Sequence, residues 1–320
     1  MVGIDRGGPN DVPELPDVVV YLESLERVAV GAVLDAVHLE SPFLLRSVDP
    51  PLDALVWRAL LGVERLGKRI VFAFEDELFA VLHLMIAGRL RWRSPGAKLG
   101  GRATLAGFDF ARDGRTIGRL VLTEAGSKKR ARLHVVCGRA ALDQHDPGGL
   151  EVLAPSTDAA LFAQRLRSEN HTLERALTDP SILSGIGNAY SDEILHRARL
   201  SPFVRTGEAT DAQLAELFTA TRAVLTEWIE RTREQVGDGF PDSVTAFRPE
   251  MAVHGRYREP CPACGDPVQR VAYKEREFNY CATCQTGGKL LKDRALSQLL
   301  RGDWPRTVEE LELRRRGGAG

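Results

Sequence analysis

The tightest restriction on this chain lies in its last quarter, where Cys261-x2-Cys264 is followed after sixteen residues by Cys281-x2-Cys284. Two close cysteine pairs on turns can supply four thiolates to a tetrahedral Zn²⁺, which staples a hairpin too small to build its own core. Pro260, Pro262 and Gly265 frame the first pair as a tight knuckle. A lone CxxC reads as a redox pair, but two at this spacing favour metal. The expectation is one structural Zn²⁺ per chain, because four cysteines leave no coordination position open for water. The remaining cysteine, Cys137 in the run LHVVC, is expected to fill a core position. Five cysteines, four of them clustered, do not make a secreted disulfide scaffold.

With 320 residues, of which 43% are hydrophobic, the chain can bury two modest cores. No apolar run approaches the roughly 18 residues that span a bilayer, and MVGIDRGGPNDV has no signal cleavage pattern. A cytoplasmic protein that does not engage a membrane is expected. The segment ELPDVVVYLESLERVAVGAV predicts a helix, with Val19, Leu22, Leu25 and Val28 near helical spacing and Pro16 in the first turn. Strand patterns follow in AVLDAVHLES, in KRIVFAFED and ELFAVLHLMIAGRLRWR across an acidic turn, in GRLVLTEAG and in ARLHVV. Short strands without alternating helices predict an antiparallel sandwich or barrel.

From about residue 150 the period becomes helical, in DAALFAQRLRSE, HTLERALTD, AYSDEILHRARL and the long DAQLAELFTATRAVLTEWIERTREQV. GDGFPDS then links to the cysteine module, and RRRGGAG reads as a disordered tail. The fold class is therefore α+β: an N-terminal helix and antiparallel β-sandwich, then a helical domain carrying the zinc finger.

A formal net charge of −1 does not advertise nucleic-acid binding. Local segregation is visible, however, in Lys128-Lys129-Arg130-Ala131-Arg132 and in Arg89, Arg91 and Arg93, which alternate along a strand pattern and share one face. Taken alone, such charges read as a solvated sheet edge. The run Ser184-Gly185-Ile186-Gly187-Asn188-Ala189-Tyr190 lies between two helical patterns. Its glycines can expose backbone amides at a helix start, where a phosphate is favoured; an ordinary helix-helix turn reads equally well.

Four landmarks make a resemblance specific. GIGNAYSDEILHRARLSP at 185–202 looks like the helix-two-turn-helix of the formamidopyrimidine-DNA glycosylase and endonuclease VIII family, and YCATCQ at 280–285 resembles its zinc-finger ending. Pro13-Glu14-Leu15-Pro16-Asp17-Val18 is similar to the family's catalytic N-terminus. Leu66-Gly67-Lys68-Arg69 and His83-Leu84 match its lysine-bearing and wedge-bearing strands. The resemblance implies Pro13 as nucleophile at the sugar C1′ of a flipped-out nucleotide, Glu14 as general acid/base and Lys68 as assisting cation. It also implies that Asn188 and Arg276 grip phosphates, and that Ile86 and the basic Lys128 and Lys129 contact DNA.

The resemblance implies a DNA-repair glycosylase and AP lyase acting as a monomer on damaged double-stranded DNA, bound in a central cleft. The rival expectation is a noncatalytic binder of abasic, branched or cross-linked DNA. Expected boundaries are an N-terminal extension at 1–12, a catalytic sandwich at 13–150, a helix-two-turn-helix domain at 151–250, the finger at 251–288 and a C-terminal extension at 289–320.

The chain departs from the family pattern in several places. Twelve residues precede Pro13, so its nitrogen is an amide in the chain as written; initiation at Val12 or trimming would expose it, and a real extension would abolish the lyase. Ile86 takes the place of the family's wedge methionine, with Met85 beside it. Gly126 to Ala131 is basic but lacks an aromatic wedge, and the loop that covers the lesion is short near GFPDSVTAF. In the tail, Leu290, Leu291, Leu296, Leu299 and Leu300 are expected to form an apolar helical face.

Overall fold

The computed structural model describes residues 12–126, 128–242, 248–273 and 276–291, with Thr307 and Glu310. The N-terminal extension before Val12, part of the GFPDSVTAF loop, and Leu296, Leu299 and Leu300 lie outside the described residues. The chain divides into two compact units, Met1–Gly149 with Thr226–Ala246, and Leu150–Leu225 with Phe247–Gly320.

The first unit opens with α1 (Leu15–Val28), which starts at a reciprocal cap. The Glu14 side chain accepts from the Asp17 N–H, and Asp17 Oδ2 accepts from the Glu14 N–H at 2.9 Å, so helix-end donors are satisfied without water. Pro16 suits this turn because its missing N–H is not needed there. Val18, Tyr21 and Leu25 then turn one stripe of the helix into the core.

Eight strands follow: β1 (Val33–Leu39), β2 (Leu60–Leu66), β3 (Arg69–Phe74), β4 (Leu78–His83), β5 (Gly88–Arg93), β6 (Thr104–Arg112), β7 (Arg115–Glu124) and β8 (Arg132–Cys137). They form two four-stranded antiparallel sheets ordered β1-β6-β7-β5 and β2-β3-β4-β8. Leu34, Leu90, Phe110 and Leu120 from one sheet meet Ile70, Phe72, Leu82 and Leu133 from the other in a single core. Each such side chain contributes about 1.5–3 kcal/mol on burial. The short α2 (Arg139–Asp143) lays Leu142 on Val71, Phe79 and Val81, the opposite face of the second sheet.

Two expectations are corrected here, and two strands that the patterns did not mark are added. The apparent strand 77–93 breaks into β4 and β5, which lie in different sheets. Gly88 N–H donates to the Leu84 carbonyl at 3.0 Å, closing a turn in which Met85 takes a φ of 54°. A Cβ at position 88 would sit 2.2 Å from that carbonyl oxygen, so only glycine closes this turn. The strands β2 and β6 give weak alternation. β2 is an edge strand with mostly half-buried residues, and Gly107 in β6 makes room for the Leu99 side chain. Cys137 is exposed at the end of β8, with Sγ 4.0 Å from the Asp76 carbonyl, rather than in the core.

The second unit contains α3 (Ala159–Leu166), α4 (Leu173–Thr178), α5 (Asn188–Arg197), the first part of α6 (Asp211–Val236), the hairpin of β9 (Gln269–Tyr273) and β10 (Arg276–Tyr280), and α7 (Ala282–Thr286). Asp158 and Thr172 cap α3 and α4 through side-chain oxygens that accept from Leu161 and Arg175 N–H groups. Along α6, Leu214, Leu217, Ala220, Val224, Leu225 and Trp228 are buried at helical spacing. Leu290 and Leu291 pack on Val271, Phe278, Tyr280 and Ala282, which anchors the start of the tail on the hairpin.

Candidate functional site

Pro13 and Glu14 are both buried where the chain enters α1. Lys68 belongs to the tight turn between β2 and β3, in which Gly67 adopts a φ of 61°. Burial lowers the Lys68 ammonium from its ordinary pKa, and the carboxylates of Glu14 and Asp17 oppose that shift. Residues far apart in sequence therefore meet: a proline, a capping glutamate and a lysine whose charged form is disfavoured by burial and favoured by the two carboxylates. Such a set can move a proton and can hold a nucleophilic amine. Pro13 N is acylated by Val12 in the chain as written.

Ile86 sits half-buried at the tip of the turn between β4 and β5. In the basic loop after β7, Lys128 is exposed, whereas Lys129 is half-buried with its ammonium on the Glu124 carbonyl. The Glu124 carboxylate, only 1% exposed, accepts from Arg130 N at 2.8 Å and Ala131 N at 3.1 Å. This buried glutamate shapes the loop, and sequence reading missed it because its partners are backbone amides.

In the second unit Asn188 is the first residue of α5, after Gly187 as cap and Gly185 with a φ of 81°. Ser184 to Gly187 are buried and Asn188 is half-buried, so the turn presents this side chain at the positive end of a helix. One turn further on, two adjacent acids point inward. Asp192, 2% exposed, lies 2.8 Å from His254 Nδ1 and accepts from Asn279 N at 2.9 Å. Burial pushes its carboxyl up to about 7, against the His254 and Asn279 hydrogen bonds. Glu193 accepts from the Ala252, Val253 and His254 amides at 2.7–3.0 Å. Asn279 is on β10, the strand that begins at Arg276. The helix carrying Asn188 and the hairpin carrying Arg276 are thus tied through Asp192; the Arg276 side chain lies outside the description. Asp192→Ala should cost about 3–5 kcal/mol, because it leaves His254 and a buried amide without their acceptor. Denaturant unfolding measures this, and an unchanged midpoint would remove the tie.

The four cysteines come together. Their Sγ atoms lie within 4.8 Å of one another, with Cys264 to Cys281 at 3.4 Å and Cys261 to Cys284 at 3.9 Å. A tetrahedron of thiolates about 2.3 Å from a central ion has edges of about 3.8 Å, so the set fits a metal. Gly265, with a φ of 83°, turns the first knuckle, and its N–H donates to the Cys261 carbonyl at 2.8 Å. Cys281 caps α7, and Gln285 accepts from the Cys281 N–H at 2.8 Å while donating to the Leu200 carbonyl at 2.9 Å. Burial raises the thiols of Cys281 and Cys284, the latter to about 11, so keeping them ionised calls for a cation. Among the described residues no helix is long and apolar enough to cross a membrane.

A two-sheet sandwich behind a Pro-Glu helix start, with a glycine-turn helix and a four-cysteine knuckle, defines a class of DNA-repair protein. The chain belongs to the formamidopyrimidine-DNA glycosylase family: residues 12–133 match that family's N-terminal domain and residues 149–238 its H2TH domain. A formamidopyrimidine-DNA glycosylase of Thermus thermophilus is 32% identical over 283 residues, covering 87% of this chain and 100% of the relative. A formamidopyrimidine-DNA glycosylase-like protein of Mycobacterium tuberculosis is 42% identical over 153 residues, 48% of this chain and 94% of its own length. Among solved structures, MutM (Fpg) from Thermus thermophilus has a TM-score of 0.71 at 30% identity over 85% of this chain and 98% of that one. Lactococcus lactis Fpg bound to DNA containing an abasic site has a TM-score of 0.74 at 22% identity, covering 85% and 99%, and is a likeness of fold.

Proposed function

We propose that this chain removes damaged bases from double-stranded DNA and nicks the resulting abasic strand, using the amine of Pro13. The observation that carries this reading is the meeting of Pro13 and Glu14 with a lysine whose charged form is disfavoured by burial. A neutral Pro13 amine attacks C1′, and the bond from C1′ to the base nitrogen breaks as Glu14 manages the proton at the opening sugar. The product is an iminium at C1′. Loss of a C2′ proton then expels the 3′ phosphate by β-elimination, and a second elimination releases the 5′ phosphate where the reaction runs to β,δ. Lys68 supports the negative charge of the nearby phosphates. The relatives' DNA complexes, one with an abasic site and one with carbocyclic 8-oxo-G, support damaged DNA as the partner.

In this reading residues 13–150 are the catalytic domain, 151–250 the helix-two-turn-helix domain and 251–288 the finger, between extensions at 1–12 and 289–320. One structural Zn²⁺ is held by Cys261, Cys264, Cys281 and Cys284. The protein acts as a monomer in the cytoplasm, on the nucleoid. Ile86 and Lys128 face the DNA, and Lys129 does so with its ammonium already drawn to Glu124. The noncatalytic reading is the weaker one, because this family member keeps the proline, glutamate and lysine together. A panel of oxidised, ring-opened and abasic duplexes tests the choice: base release and strand cleavage support the enzyme, and structure-selective binding without either supports the binder.

Asn188 and Arg276 bind phosphates rather than bases in this scheme. Replacing either by alanine should weaken damaged and undamaged duplexes together, and Arg276→Ala, which removes a charge, should also lower the salt slope of binding by about one. Loss confined to one lesion in a titration across salt concentrations would assign them to base recognition instead.

A further inference from the structure

The face of α5 turned to the cysteine module carries three polar side chains at helical spacing. Asp192 and Glu193 hold Asn279 and the 252–254 amides. One turn further on His196, 9% exposed, brings Nε2 to 3.2 Å from Cys261 Sγ, a hydrogen-bond distance for sulfur. Just past the helix end the Leu200 carbonyl accepts from Gln285, whose own oxygen receives the Cys281 N–H. The end of α5 therefore meets both cysteine pairs, one through His196 and one through Gln285.

The direction of the His196 contact follows from the state of the sulfur. A free thiol can donate its S–H to an imidazole, but a metal-bound thiolate has no proton and only accepts. With Cys261 as a ligand, the proton between the two atoms sits on Nε2. Four thiolates around a divalent cation carry a net negative charge, and Cys261 and Cys281 are only 2% and 0% exposed. Buried charge is costly unless it is hydrogen-bonded. The module's own backbone supplies some donors: the Ala263 and Cys264 N–H groups bond Cys261, and the Cys284 N–H lies 3.5 Å from Cys281 Sγ. His196 adds one from a separate helix. Burying its imidazole costs hydration as well, and the sulfur is the acceptor that offsets that cost.

We propose that His196 is a positioning residue of the metal centre: its Nε2–H donates to the metal-bound Cys261 sulfur, disperses charge from the thiolate set and pins the first knuckle to the helix that carries Asn188. The inference rests on the zinc reading above. Without this donor the Cys261 sulfur keeps more of its charge in a buried place, and nothing from α5 fixes its orientation toward the metal.

The test uses the full chain loaded with zinc, and with cobalt as a coloured substitute. Ring-nitrogen NMR of the zinc-loaded parent should find the His196 proton on Nε2. His196→Phe keeps an aromatic ring without the donor, whereas His196→Gln offers an amide N–H at a similar reach. Zinc affinity, measured by competition with a chelator, should fall about 10–100-fold in His196→Phe, and His196→Gln should recover most of that loss. The thiolate-to-cobalt charge-transfer band should move to lower energy in His196→Phe, because sulfur lone pairs rise when a hydrogen bond is lost, and should stay near the parent position in His196→Gln. A role in packing alone would not give that pattern. A ring proton on Nδ1 alone in the zinc-loaded parent would overturn the proposal, and this holds even where His196→Phe fails to fold. Equal losses of affinity in both variants with an unmoved cobalt band would overturn it too. If the parent binds one metal ion per chain and His196→Phe matches it in affinity and band, only the role of His196 fails; if the parent binds neither zinc nor cobalt, the zinc reading fails and this role with it.

Discussion

A version of the chain beginning at Pro13 should be captured covalently on abasic DNA by borohydride, whereas the 1–320 chain should show no capture through Pro13. The difference is electronic. A terminal proline offers a secondary amine, and terminal amines have a pKa of roughly 7.7–8.0, so an appreciable neutral fraction exists at pH 7. In a chain where Val12 precedes it, the same nitrogen is an amide whose lone pair is delocalised. Pro13→Gly should retain a primary amine and partial capture. Glu14→Gln should slow base release while leaving α1 largely intact, since a glutamine oxygen can still accept the Asp17 N–H at the cap. Lys68 is the control, because burial already moves it toward the neutral amine. Equal capture by both versions, abolished only by Lys68→Ala, would transfer the nucleophile to Lys68. Tight DNA binding with no capture and no base release from either version would establish the noncatalytic reading.

Loss of the metal should have the other large effect. Elemental analysis should find one zinc per chain, and Cys281→Ser or strong chelation should unfold the knuckle and its hairpin. Structural zinc contributes about 10–16 kcal/mol in isolated finger peptides, far more than this small cluster of Val253, Val268 and buried cysteines can replace. Hydrogen exchange should therefore lose protection over 261–286 while β3, β4 and β8 keep theirs, because the sandwich has its own core. Unchanged protection of the hairpin in metal-free protein would refute a structural metal. DNA binding should fall in parallel, since Arg276 begins the strand whose Asn279 is held by Asp192.

What could be read without coordinates were features written in local spacing. The paired CxxC motifs imply four thiolates at one point, and the sulfurs do converge. The long period of Asp211–Val236 and the hairpin across Glu75, Asp76 and Glu77 also follow from neighbours in the chain. Pairing order does not: the strand pattern ran unbroken through 77–93, and only the turn at Gly88 assigned its halves to different sheets. Cys137 looked apolar by its neighbours, yet its place at the end of β8 exposes it. Nothing in the local spacing around Asp192, Glu193 and Glu124 marks them out. Their roles depend on backbone N–H groups supplied by other segments, up to 87 residues away for Asp192 and Asn279. The proximity of Lys68 to Glu14 likewise depends on how α1 packs against β2 and β3. A chain's local pattern determines which elements form, because periodicity and capping act over a turn or two. Burial, pKa and charge clustering are set by residues brought together from distant positions, and only the tertiary structure decides those.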